Sequence, residues 1–297
     1  MKRKMTAAVF AACMLLCSCA EKQESKQQEE TMSIPIETVQ TEEFTMDYFR
    51  FGTGKKTMVI LPGLSVQSVM GLADAVADAY KIFAEDYTVY LFERRKELPK
   101  GYTMDDMTKD AEAAFEALDL KDIYLFGTSQ GGMIALDLAV QYPERIKKVA
   151  VGSAAASMTG REAEVDHWLQ LAKEGKAEEL YLAFGKAINP ESIFEPIKDL
   201  YIAAAKTVTK EELERFVTLC ETMRGFDITG DLNQINCPVL VIGAEDDHVL
   251  GSEAAREIVQ HLPQRDDCVL YMYDGYGHAA YDNAPDYKER LYQFFSN

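Results

Sequence analysis

The 297 residues include one tryptophan, four histidines, nine prolines and eighteen glycines. So little Pro and Gly excludes a collagenous or low-complexity chain. Positive charge is also scarce, with 31 Lys and Arg against 49 Asp and Glu and a formal net charge of -18. Such a surface repels phosphate backbones and anionic membranes, which argues against a nucleic-acid partner. What is present is ordinary for a packed body: 47% apolar and 27% charged residues. That length supports one large α/β domain or two small ones.

Met1-Lys2-Arg3-Lys4, an apolar run over residues 7–17 and a small-residue stretch follow the order of a signal peptide. The run is far short of the ~20 residues a spanning helix needs. Leu16-Cys17-Ser18-Cys19 resembles the lipobox of bacterial lipoproteins, in which the diacylated cysteine becomes the mature N-terminus. Cys19 fits that position, and Cys17 fits worse because Leu16 is bulky; a plain secretory signal cleaved nearby is the alternative. The expectation is a signal peptide over residues 1–18, lipidation at Cys19, and an extracytoplasmic protein held to a bacterial membrane by that lipid alone. Residues 21–31 carry no apolar side chain to offset the entropy of ordering, so 19–42 read as a tether. Cys220, Cys237 and Cys268 remain in the body, an odd number that reads as buried free thiols, with one disulfide left open.

From residue 43 onward, strand-like and helix-like segments alternate. Residues 44–51 alternate as an exposed antiparallel strand does, and 57–61 form a short apolar run ending in Pro62-Gly63. A helical pattern over 66–84, a strand over 87–92, an amphipathic helix over 103–118, a strand over 122–126, a helix over 131–142 and a strand over 146–151 follow. Strand-helix-strand alternation implies parallel crossovers, hence an α/β fold with a doubly wound, mostly parallel sheet. Between about 153 and 236 the alternation stops, and helices are predicted over 161–174, 177–187, 196–206 and 210–223 as an inserted layer. Strands over 239–243 and 268–273 and helices over 252–261 and 285–295 close a domain of residues 43–297.

Gly127-Thr128-Ser129-Gln130-Gly131 follows a strand and precedes a helix, the setting of the G-x-S-x-G nucleophile elbow, where glycines permit a strained turn that presents the serine hydroxyl. On these residues the chain, over about 43–297, resembles the α/β-hydrolase family. A serine hydroxyl is a weak nucleophile and needs a base and an acid to orient that base. The resemblance implies His278, in Asp274-Gly275-Tyr276-Gly277-His278 after the last strand, as base, with His167, His248 and His261 read as surface or packing residues. It places the acid three residues after the glycine of Val241-Ile242-Gly243-Ala244-Glu245-Asp246, which is Asp246. The order Ser129, Asp246, His278 is the one this fold uses. Glu245, Asp246, Asp247 and His248 are adjacent on one loop and seldom converge on an ion, so neither a metal nor a cofactor is expected. The oxyanion hole implied by the family comes from the backbone N–H groups of Gln130 and of Leu64, in Leu61-Pro62-Gly63-Leu64. The chain departs from the family at Pro62, where histidine is common, and at Glu93-Arg94-Arg95, where many relatives carry Asp-x-Arg-Gly.

The resulting expectation is a serine hydrolase that cleaves a small-molecule carboxylic ester, or an amide, through an acyl-enzyme. The helical insert would form a lid, and Trp168, Leu169, Leu171, Tyr181, Phe184 and Phe194 are candidates for an acyl pocket or for plain packing. A proline-iminopeptidase-like amidase would need a lid acid near the substrate amine. A hydrolase-fold binding protein with little turnover is the alternative from another class.

Overall fold

The computed structural model describes residues 33–297. The signal peptide, Cys19 and residues 19–32 of the expected tether lie outside the described residues. One eight-stranded sheet organises the rest, in the order β1-β2-β4-β3-β5-β6-β7-β8. The strands are β1 (Ile36–Gln40), β2 (Thr45–Phe51), β3 (Lys56–Leu61), β4 (Tyr87–Phe92), β5 (Ile123–Thr128), β6 (Ile146–Gly152), β7 (Val239–Ala244) and β8 (Cys268–Tyr273). Pairings β1 to β2 and β2 to β4 are antiparallel and the other five are parallel. β1 falls inside the segment expected to be tether. Its Ile36 is exposed and only Val39 is buried, so its pattern is too faint to register as a strand before β2 supplies a partner.

Successive residues of a strand point to opposite faces, and the core divides accordingly. Val59 and Leu61 of β3 join one hydrophobic cluster, whereas Met58 and Ile60 join the other. The helices outside the insert are α1 (Ala73–Ala79), α2 (Met104–Ala117), α3 (Gln130–Gln141), α8 (Glu253–His261), α9 (Ala280–Asn283) and α10 (Tyr287–Ser296). α2, α3 and α8 cover the first face, and α1 and α10 cover the second, which makes the fold doubly wound. α3 is buried from Gln130 through Ala139, as befits a helix launched from the sheet centre. The insert comprises α4 (Ala163–Lys173), α5 (Ala177–Ile188), α6 (Glu191–Ala205) and α7 (Lys210–Thr222). α7 begins at a capping box in which Thr209 accepts from the Glu212 N–H and the Glu212 carboxylate accepts from the Thr209 N–H.

Candidate active site

The elbow forms where β5 ends and α3 begins. Ser129 sits at φ 50°, ψ -121°, a conformation that non-glycine residues avoid and that costs on the order of 1–3 kcal/mol. The neighbouring glycines make the turn possible. A Cβ at Gly131 would lie 2.1 Å from the Leu61 carbonyl oxygen, and one at Gly127 would lie 2.2 Å from that of Gly131. The same close approach lays the loop after β3 against the serine, since a Cβ at Gly63 would stand 3.2 Å from Ser129 Cβ. The N–H groups of Leu64 and Gln130 donate to no protein acceptor among the described residues. Both stay free for an incoming oxygen.

His278 is 2% exposed, in the loop after β8. Its Nδ1 contacts Asp247, 3.0 Å from Oδ1 and 2.9 Å from Oδ2, and does not contact Asp246. The expected Asp246 pairing with His278 is therefore corrected to Asp247. β7 runs one residue past Gly243, to Ala244, and a turn closed by the Asp247 N–H on the Ala244 carbonyl delays the inward-facing position by one residue. Asp246 instead accepts a hydrogen bond from the Gly277 N–H at 3.1 Å, which steadies the backbone just before His278. Burial alone would raise the Asp247 carboxyl. The His278 charge and hydrogen bond, with the N–H groups of Leu250 and Val249, more than offset it and hold the group below its ordinary value.

Ser129 and His278 open on one small cavity of about 20 Å³, with no hydrogen bond between them; such contacts are often loose before substrate arrives. Leu64 lines it too, with Trp168 and Phe184 of the insert. Beside it lies a larger cavity of about 140 Å³ that shares Gly63, Leu64, Phe184, Ile188 and Tyr281 with the first. Among the candidates for an acyl pocket, Trp168, Tyr181 and Phe184 line one or both cavities, while Leu169, Leu171 and Phe194 line neither and serve packing.

Arg94 is a further component, and its only trace in the sequence is the departure at Glu93-Arg94-Arg95. Its guanidinium is buried and donates to the Pro62 carbonyl at 2.7 Å and to Gln130 Oε1 at 3.3 Å. Gln130 Nε2 in turn donates to the Leu219 carbonyl of α7 at 3.0 Å. The clasp ties the loop bearing Leu64, the elbow and the insert together. Glu93 accepts from the Ser68 hydroxyl and the Val69 N–H, fixing the start of the segment that leads into α1. Cys220, Cys237 and Cys268 are free, and no group of three or more metal-ligating side chains occurs among the described residues.

A central parallel sheet, a strained serine at the strand-to-helix turn and a buried histidine-carboxylate pair define the α/β-hydrolase class. The model of the serine aminopeptidase S33 family, also termed Hydrolase_4, matches residues 56–284. The chain belongs to this family of α/β hydrolases. It is 28% identical to "Putative carbamate hydrolase RutD" of Agrobacterium fabrum, over 80% of this chain and 92% of that protein. It is 22% identical to 3-oxoadipate enol-lactonase 2 of Acinetobacter baylyi, over 76% of this chain and 85% of that protein. Among solved structures it is similar to MGS-M2, an α/β-hydrolase enzyme from a Medee basin deep-sea metagenome library. The TM-score is 0.78 at 22% identity, covering 88% of this chain and 98% of that one.

Proposed function

We propose that the chain is a serine hydrolase that cleaves a carboxylic ester, and less readily an amide, with Ser129 as nucleophile, His278 as base and Asp247 as the acid that orients it. The observation that carries this reading is the buried Asp247 contact with His278 Nδ1, which leaves Nε2 for the cavity that Ser129 shares. In this mechanism Nε2 removes the Ser129 proton as Oγ attacks the substrate carbonyl carbon. The carbonyl oxygen takes up the negative charge and accepts from the N–H groups of Leu64 and Gln130. His278 then returns its proton to the leaving oxygen, and water repeats the cycle on the acyl-enzyme. Oxyanion donors of this kind are worth about 3–4 kcal/mol each when one is removed. Helices α4 to α7 act as the lid, closing over Ser129 through Trp168 and Phe184.

A fluorophosphonate probe is expected to modify Ser129, identified by peptide mass analysis, and a chain-length series of chromogenic esters to be hydrolysed. Ser129→Ala should abolish labelling and lower kcat by at least about 10³-fold. Modification of another residue, or turnover retained in that variant, would remove Ser129 from the mechanism. The order of charged, apolar and small residues before Cys19 supports a lipid anchor and an extracytoplasmic location. Cys19→Ala should move the protein from the membrane to the aqueous fraction, and an unchanged distribution would exclude that anchor.

A further inference from the structure

The 140 Å³ cavity beside Ser129 has no role in bond cleavage as described, and its lining is mostly apolar and aromatic, with Ser65, Thr128, Asn189, Asn283 and a single carboxylate as its polar members. Asp282, on α9 four residues beyond His278, lines it. Among the described residues no N–H or O–H donates to its carboxyl oxygens. Lys288 Nζ stands 3.8 Å from Oδ1, beyond hydrogen-bond reach, and donates instead to the Tyr281 carbonyl. Lys288 does not line the cavity. The Asp282 side chain keeps 18% exposure, yet burial pushes its carboxyl above the ordinary range. It borders a partly open space. Tyr80, Tyr201 and Tyr281 also line that space, and their phenols are raised by burial and by the nearby Asp282 charge.

We propose that this cavity is a recognition pocket for a substrate arm ending in a primary ammonium, with Asp282 as the specificity-determining acceptor. A cavity of similar size, about 150 Å³, holds benzene, so the arm is about six heavy atoms long. An alkyl stem fits the apolar walls. At its end an ammonium supplies the hydrogen bonds that the carboxylate lacks, and the tyrosine rings offer faces that favour a cation. Lys288 opposes entry weakly, because Coulomb energy falls with distance. A ligand nitrogen about 3 Å from Asp282 and about twice as far from Lys288 is attracted about twice as strongly as it is repelled. A carboxylate arm meets the reverse balance, and an alkyl arm leaves Asp282 without a hydrogen-bond donor. An acidic protein also gathers cations at its clefts.

This assignment names the substrate class for the hydrolase reading and rests on it for its meaning as substrate recognition; ligand binding itself tests the pocket. Full-length protein is titrated by calorimetry with pentylammonium, 1-pentanol and pentanoate, and each is scored for protecting Ser129 from the fluorophosphonate probe. Pentylammonium should bind at least tenfold tighter than 1-pentanol, with pentanoate weakest. Asp282→Asn and Asp282→Ser, checked for folding by melting, should bring the ammonium-to-alcohol ratio to within about threefold. Equal or tighter binding of pentanol in the unmodified protein overturns the proposal, as does an ammonium preference that persists in a folded variant. If the probe fails to label Ser129 while the ammonium preference holds and vanishes in the Asp282 variants, the hydrolase mechanism fails and the pocket stands.

Discussion

In the proposed mechanism, one position along the chain separates the acid that orients His278 from the acid that holds the Gly277 N–H. Asp247 accepts the imidazole N–H and so selects the tautomer whose Nε2 is free; asparagine there can donate where it should accept. Asp247→Asn should lower kcat by about 10³ to 10⁴-fold in ester hydrolysis, whereas Asp246→Asn, which still offers an oxygen to the Gly277 N–H, should change it less than about tenfold. The reverse ranking in folded variants would return the role to Asp246. The same contact bears on stability. A carboxyl lowered in the folded state stabilises above its unfolded value and loses that contribution as pH falls through its folded value. The melting gap between the unmodified protein and Asp247→Asn should therefore be wider at about pH 5 than below about pH 3. Ser129 is marked in the sequence by its glycine flanks and His278 by its loop after the last strand, where the resemblance implies a base, and the fold brings the two to one cavity. The acid is not so marked, since choosing between adjacent aspartates depends on where a strand ends and a turn begins. Arg94 shows in the sequence only as a departure from the family pattern and Asp282 not at all, because the hydrogen-bond partners of the one and the cavity beside the other are set by the fold.

Among the elements, the tightest constraint is the contact between α3 and the end of β3. Gly131 has room for a hydrogen only, with the Leu61 and Pro62 carbonyl oxygens 2.1 and 2.4 Å from where a Cβ would stand. Both obstacles are backbone, and the Pro62 carbonyl is the one that Arg94 holds. Gly131→Ala should therefore push the Leu64 N–H away from the oxyanion position as well as overpack the core. The expected result is a loss of about 1–3 kcal/mol of stability by denaturant melting, together with a drop in kcat of about tenfold or more in the protein that remains folded. Stability lost with kcat unchanged would show that the loop relaxes elsewhere. The centres of β3 and β7 are legible because parallel strands covered on both faces read as continuous apolar runs. The segment 66–84 was legible only as helical in general. It breaks into two 3₁₀ turns around the short α1, with Glu93 holding its start. The sequence pattern starts α6 late, at residue 196, because proline is read as a helix start; the helix begins at Glu191 and carries Pro196 inside.

At the scale of the whole molecule, the question is whether the excess of acid or the surface ion pairs respond more to salt. The chain carries a formal charge of -18, and folding brings those charges closer together than an expanded chain does, so self-repulsion opposes the compact state. Surface pairs such as Lys81 with Asp78, Lys173 with Glu221 and Arg224 with Asp166 oppose that repulsion, but exposed pairs of this kind contribute little. Their partners also touch at 3.0, 2.7 and 2.6 Å, well inside the screening length of about 8 Å at 0.15 M ionic strength. Repulsion among like charges, in contrast, acts across the whole surface. Raising ionic strength from 0.01 to 0.15 M shortens the screening length from about 30 to about 8 Å, which removes long-range repulsion and leaves contact pairs largely intact. The better buried pairs, Arg95 with Asp110 and Arg145 with Glu112, are affected less still. Tm by calorimetry should accordingly rise with sodium chloride over that range by about 2–4 °C, the response of a domain this size to about 1 kcal/mol. A fall in Tm over the same range would mean that the attractive pairs outweigh the net charge, and the acidic surface would then owe its tolerance to local pairing of opposite charges.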